Sequence, residues 1–99
     1  MWIQTQNKQQ IINSDQVIDI FISVRGNVIY AETIKENYTA LGEYGYRNIC
    51  LKVLEHIFIA MNNNLPGIPM PLGGEVDTWA EGIDKIAAID IANDFIKSL

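Results

Sequence analysis

Few residues in this chain are of types that do chemistry. It holds one histidine, His56, and one cysteine, Cys50. The two are six positions apart, which on a helix places them about 120° away from each other's face. They cannot share a metal ion, and a lone imidazole rules out a histidine-rich metal site. His56 is expected to be a partly exposed helix residue, and Cys50 a small apolar one. No serine sits in a nucleophile elbow, and there is no P-loop and no GxGxxG. Asp90 and Asp94 stand at i and i+4, a spacing that suits a solvated helix face better than a catalytic pair. No catalytic residue, metal or cofactor is assigned, and a protein that is not an enzyme is expected.

Residues suited to binding are more numerous. Arg25 and Arg47 are the two arginines, and a guanidinium meets a phosphate through two parallel hydrogen bonds. Tyr44, Tyr46 and Trp79 offer rings on which a base could stack. Gly73 and Gly74 precede a helix and offer backbone N–H groups. These seven residues form the candidate ligand-binding set for a phosphorylated, nucleotide-like small molecule. Each also has a plainer role, the arginines as solvated charges and the aromatic rings as packing.

Charge and composition narrow the partners. The formal net charge is −5, and residues 65–99 hold six acids against two lysines. That balance disfavours nucleic acid, whose binders spend Lys and Arg on phosphates, and suits a basic protein surface. No apolar run approaches the roughly 18 residues of a membrane span, so no membrane partner is expected. One cysteine cannot form an internal disulfide, and residues 1–10 do not read as a leader. A cytoplasmic protein is the expectation.

The elements that would position these residues read as one α+β domain over residues 1–99. Short strands are expected at 1–5 and 10–13, and longer ones at 17–24, 28–34 and 38–44, forming a four- or five-stranded antiparallel meander. Ile18, Ile20, Ile22 and Val24 fall on one face at period two, and Arg25-Gly26-Asn27 signals a tight hairpin. A helix at 46–61 carries the apolar stripe Ile49, Val53, Leu54, Ile57, Phe58 and Met61. Ile20, Ile22, Leu54, Ile57 and Phe58 are expected in the core. The segment 65–74 holds all three prolines, which excludes a regular helix or a central strand. Leu65, Ile68, Met70 and Leu72 make it apolar as well. A last helix at 79–98, capped by Asp77 or by Thr78 with Glu81, is apolar around most of its circumference. Residues 65–99 are therefore expected to join copies of the chain into a homo-oligomer, with 1–64 forming the sheet and first helix.

The opening Met1-Trp2-Ile3-Gln4-Thr5-Gln6-Asn7-Lys8, followed by Ile11-Ile12-Asn13, Leu41-Gly42-x-Tyr44 and Val53-Leu54-x-x-Ile57, resembles a family of short proteins encoded by phages and prophages of low-GC Gram-positive bacteria. The resemblance covers roughly residues 1–60 and departs at the Pro/Gly loop and final helix. It implies a small antiparallel sheet followed by a helix, and a bacterial host cell. It carries no active site to transfer. Proteins of such genomic company often counter host defence. The expectation is sequestration of a nucleotide-derived immune signal. The alternatives are inhibition of a defence enzyme by contact, or a structural accessory role.

Overall fold

Alternation of apolar and polar residues, broken by turn formers, divides the first half of the chain into five strands. The computed structural model describes the backbone of residues 1–35 and 37–97, and the side chains of those residues outside 90–96. Strand β1 (Trp2–Gln4) and strand β2 (Ile11–Asn13) form an antiparallel hairpin. Strands β3 (Val17–Ile22), β4 (Val28–Thr33) and β5 (Tyr38–Glu43) form an antiparallel meander. Helix α1 (Arg47–Asn62), strand β6 (Gly67–Pro69) and helix α2 (Val76–Lys97) complete the order. The fold is α+β, as the pattern implies.

The strands do not make a single meander. Among the described residues, six strands form two three-stranded sheets, β2-β1-β6 and β3-β4-β5. The break lies at residues 14–16, where a 3-10 turn follows Asn13, whose side chain accepts the Asp15 N–H at 3.0 Å. That turn swings β3 out of line with β2. Strand β1 then pairs on its other side with β6, in parallel, with Ile3 opposite Ile68. The Trp2 N–H donates to Pro66 O and the Met70 N–H to Gln4 O, fixing the pair at both ends. Prolines are tolerated there because β6 is an outer strand.

The two sheets meet through Gln6. Its amide donates to Glu43 O and Pro71 O at 3.0 and 3.2 Å, and its Oε1 accepts the Glu43 N–H at 2.8 Å. Over this frame closes a core of Ile3, Ile12, Ile29, Ala31, Leu41, Val53, Ile57, Ala60 and Ile68, all buried. Ile68 and Met70 are buried in their own chain, so these two residues of the Pro/Gly segment are not the exposed apolar surface expected of a subunit contact. Leu72 of that segment remains exposed.

Helix α2 starts at Val76, three residues before the expected start, because a 3-10 turn at Gly73–Glu75 leads directly into it. Asp77 and Thr78 therefore both lie inside the first turn, not at a cap. Val76, Ala80 and Ile83, spaced i, i+4 and i+7, are buried, as one stripe of a docked helix must be. The pairs Lys52–Asp77 and His56–Asp84 advance together along the two helices, so α2 runs beside α1 in the same sense. Ile86 and Ile89 are exposed. The expected Asp90/Asp94 strip and the end of the apolar circumference lie outside the described side chains.

Candidate functional site

Helix α1 carries two apolar stripes, not one. Cys50, Val53, Ile57 and Ala60 follow an i, i+3, i+7, i+10 spacing and are all buried. Leu51, Leu54, Phe58 and Met61 repeat the same spacing one residue later. One helix can turn only one stripe squarely onto the sheet, so the second is displaced by about 100°. Its members run from half-buried to exposed: Leu51 is 49% and Phe58 67% exposed. Phe58 is thus not a core residue, and Leu54 is only half-buried.

Facing that stripe is β3, an outer strand of its sheet. Its register slips between Val17 and Asp19, where two residues of β3 stand against one of β4. The extra residue of this bulge is Ile18, which is 62% exposed. The bulge breaks the expected period-two face: Ile20 and Ile22 are half-buried, while Ile18 turns out and Val24 lies beyond the strand end. Between β3 and α1 a groove of about 600 Å³ remains open, walled by Ile18, Ile20, Leu51, Leu54, Phe58 and Met61. Its charged liners are Asp19 and Glu55, both acids. Ile18, Leu51 and Phe58 leave on the order of 300 Å² of apolar surface in water, comparable to the largest apolar patch on a typical soluble monomer, which is often functional.

The residues singled out for small-molecule chemistry are dispersed. Tyr44 is buried. Its ring lies across Gly42, where an added Cβ would fall 2.7 Å from the hydroxyl oxygen, and that hydroxyl donates to Pro71 O at 2.8 Å. The Leu41-Gly42-x-Tyr44 motif is therefore a packing device that locks β5 to the Pro/Gly segment, and the ring is not free to stack on a ligand. Burial pushes the phenol above the usual tyrosine range, and nearby Cys50 adds to the rise.

Trp79 is half-buried against His56 at 6.0 Å between ring centres. Its buried Nε1 meets no acceptor among the described residues. Gly73 and Gly74 line a small depression of about 260 Å³ with Asn48, Lys52 and Asp77. There the Lys52 ammonium is held by the Asp77 carboxylate. An acid thus already occupies the helix start that was expected to receive a phosphate.

Three of the seven do gather at one end. The stem of Arg47 lies against Gly26, whose added Cβ would be 3.2 Å from Arg47 Cβ. Gly26 has φ +79°, a left-handed value that the hairpin turn requires. Arg25 is its neighbour in that turn, and Tyr46, 71% exposed, precedes Arg47 at the start of α1. Neither arginine joins an ion pair among the described residues.

His56 is buried, not partly exposed. Its Nδ1 lies 2.9 Å from Lys52 O, and a carbonyl only accepts, so Nδ1 donates. Its Nε2 lies 3.2 Å from Asp84 Oδ1. The ring is a polar rivet between the two helices. Cys50 is fully buried, and burial raises its thiol while Arg47 opposes the rise. A buried, protonated thiol is a packing group. Among the described residues no group of three His, Cys, Asp or Glu side chains could hold a metal ion, and no helix is long and apolar enough to cross a membrane.

No protein-family model, curated protein or solved structure matches this chain.

Ile18 and Phe58 read in the sequence as apolar packing residues and Leu51 falls outside the expected stripe of α1, so none of the three stands among the binding candidates. The available signal was the doubled stripe on α1, which a three-stranded sheet cannot cover alone.

Proposed function

We propose that this chain is a non-catalytic binding protein that receives an apolar segment of another protein in the groove between β3 and α1. The observation that carries the reading is the uncovered second stripe of α1, with Leu51 and Phe58 in water beside the exposed Ile18. Apolar surface buried on association is the main driving force for contact between proteins, and anchors that fill a preformed groove dominate such contacts. In the phage setting that residues 1–60 resemble, this corresponds to blocking a host enzyme by contact. The test uses the protein that co-purifies with the intact chain. Phe58→Glu should weaken that complex at least about 100-fold, as loss of a central anchor does, and Arg25→Ala/Arg47→Ala should leave it within about threefold. Full retention by Phe58→Glu would refute the groove.

A second reading, sequestration of a nucleotide-derived signal, is favoured by the meeting of Arg25, Arg47 and Tyr46 at one end. It predicts that Arg25→Ala or Arg47→Ala weakens a phosphorylated nucleotide by about 1.5–3 kcal/mol, the worth of a charge-assisted bond. Unchanged affinity by calorimetry would remove it. Self-association through residues 65–99 is compatible with either reading, with Leu72, Ile86 and Ile89 as its exposed contacts.

A further inference from the structure

Length, edge geometry and charge together restrict what can fill the groove. Its α1 wall runs from Leu51 to Met61, about 15 Å at 1.5 Å per residue. That matches two to three turns of a helix presenting anchors at i, i+3 or i+4, and i+7. The β3 wall is a poor template for an added strand. It carries a bulge at Ile18 and an acid at Asp19, with Glu32 directly opposite. Bulges and charges on an outer strand are what prevent edge pairing. Among the described residues the charged liners are Asp19 and Glu55, and no base lines the groove.

A second copy of this chain is the wrong charge. A self-complementary contact would set Asp19 and Glu55 near their own equivalents on a molecule already carrying −5. The exposed charged side chains described on α2 are three acids, Asp77, Glu81 and Asp84, against two lysines, Lys85 and Lys97, so α2 brings no net positive charge to any groove it entered. Resting on the protein-binding reading above, we infer that the occupant is an amphipathic helix of another protein, with an apolar stripe that fills the groove and Lys or Arg on its flanks. The apolar stripe supplies affinity, and the basic flanks set orientation and partner choice against Asp19 and Glu55.

The test is a titration of the full chain followed by backbone-amide NMR, with three synthetic peptides of equal apolar content. One is helix-patterned with Lys flanks, one helix-patterned with Glu flanks, and one strand-patterned with alternating Leu and Lys. The Lys-flanked helix should shift the amides of Ile18, Leu51 and Phe58 and bind at least about tenfold more tightly than the Glu-flanked one, an advantage that shrinks as salt screens exposed charge. Asp19→Asn/Glu55→Gln should reduce that preference to below about threefold while leaving the shifted amides the same, since both side chains are exposed and serve the rim. Equal binding of the Glu-flanked helix, or tighter binding of the strand-patterned peptide at the same amides, would overturn the helix inference and leave the protein-binding reading standing. Groove amides that move with the concentration of the chain alone would name a second copy as occupant and overturn it too. If none of the peptides moves the groove amides, the protein-binding reading falls with it.

Discussion

Ile57 and Phe58 are neighbours on α1 with opposite fates, 1% and 67% exposed, so truncating each to alanine separates stability from binding. Ile57 lies among Val53, Ala60, Ile29 and Ala31 in the core. Ile57→Ala removes three carbon atoms from a packed site and leaves a cavity, at a cost of about 2–5 kcal/mol. For a domain of this length about 1 kcal/mol shifts Tm by roughly 4–8 °C, so a loss of roughly 8–40 °C is expected. Phe58→Ala removes a larger side chain, yet most of that surface is already in water. Loss of its remaining contact with the groove is offset by the better helix propensity of alanine, about 0.5 kcal/mol. The net change should stay within about 1 kcal/mol, in either direction. The assay is urea unfolding of both variants by circular dichroism, with midpoints compared at equal slope. A cost above about 2 kcal/mol for Phe58→Ala would mean that its ring is packed in the core, and the groove would not exist as described.

Tyr44→Phe should cost about 1 kcal/mol, the net worth of one buried hydrogen bond, because Pro71 O keeps the Gln6 amide as a second donor. Chemical denaturation checks it, and an unchanged midpoint would show the hydroxyl to be solvated. The Lys52–Asp77 pair should be felt weakly and only at intermediate pH. Its hydrogen bond holds Asp77 below the ordinary carboxylate range and Lys52 above the ordinary lysine range. Its contribution therefore fades as pH falls through the depressed Asp77 value and as it rises through the raised Lys52 value. Both heads face water, so Asp77→Asn should leave Tm nearly unchanged in a pH series, and a large drop near neutrality would contradict that exposure. If residues 65–99 join copies of the chain, light scattering should give a dimer or larger for the intact chain and a monomer or aggregate for Ile86→Asp/Ile89→Asp, and a well-folded monomer for the intact chain would remove that self-association.

The local elements were legible in the sequence because each is dictated by nearby residues. Period-two apolar runs mark β3 and β4, the Gly26 turn joins them, and α1 matches its expected span to within one residue at each end. Long-range pairing was not legible. Strand β6 is three residues long and includes Pro69, and its partner β1 lies more than sixty positions away, so no periodicity announces it. The same holds for Tyr44, whose motif is visible in the chain while its partner Pro71 is not.

The candidate site was hidden for a related reason. A doubled stripe and a single broad one look alike until the width of the facing sheet is known, and the bulge that exposes Ile18 depends on the register against β4. The seven binding candidates converge only in part: Arg25, Arg47 and Tyr46 share one end, while Tyr44 is locked to the Pro/Gly segment and Gly73, Gly74 and Trp79 serve the start and seam of α2.

The central claim is that another protein enters the groove between β3 and α1. Photo-crosslinking from single positions tests it most directly, with a benzophenone side chain placed at 58 or 51, and at 24 as a control. Val24 is more exposed than Phe58 and lies in a turn away from the groove. The account predicts that positions 51 and 58 both crosslink to one segment of one partner protein in cells producing the chain, and that position 24 does not. Crosslinks of equal yield to the same segment from position 24, or none from 51 and 58, would contradict it.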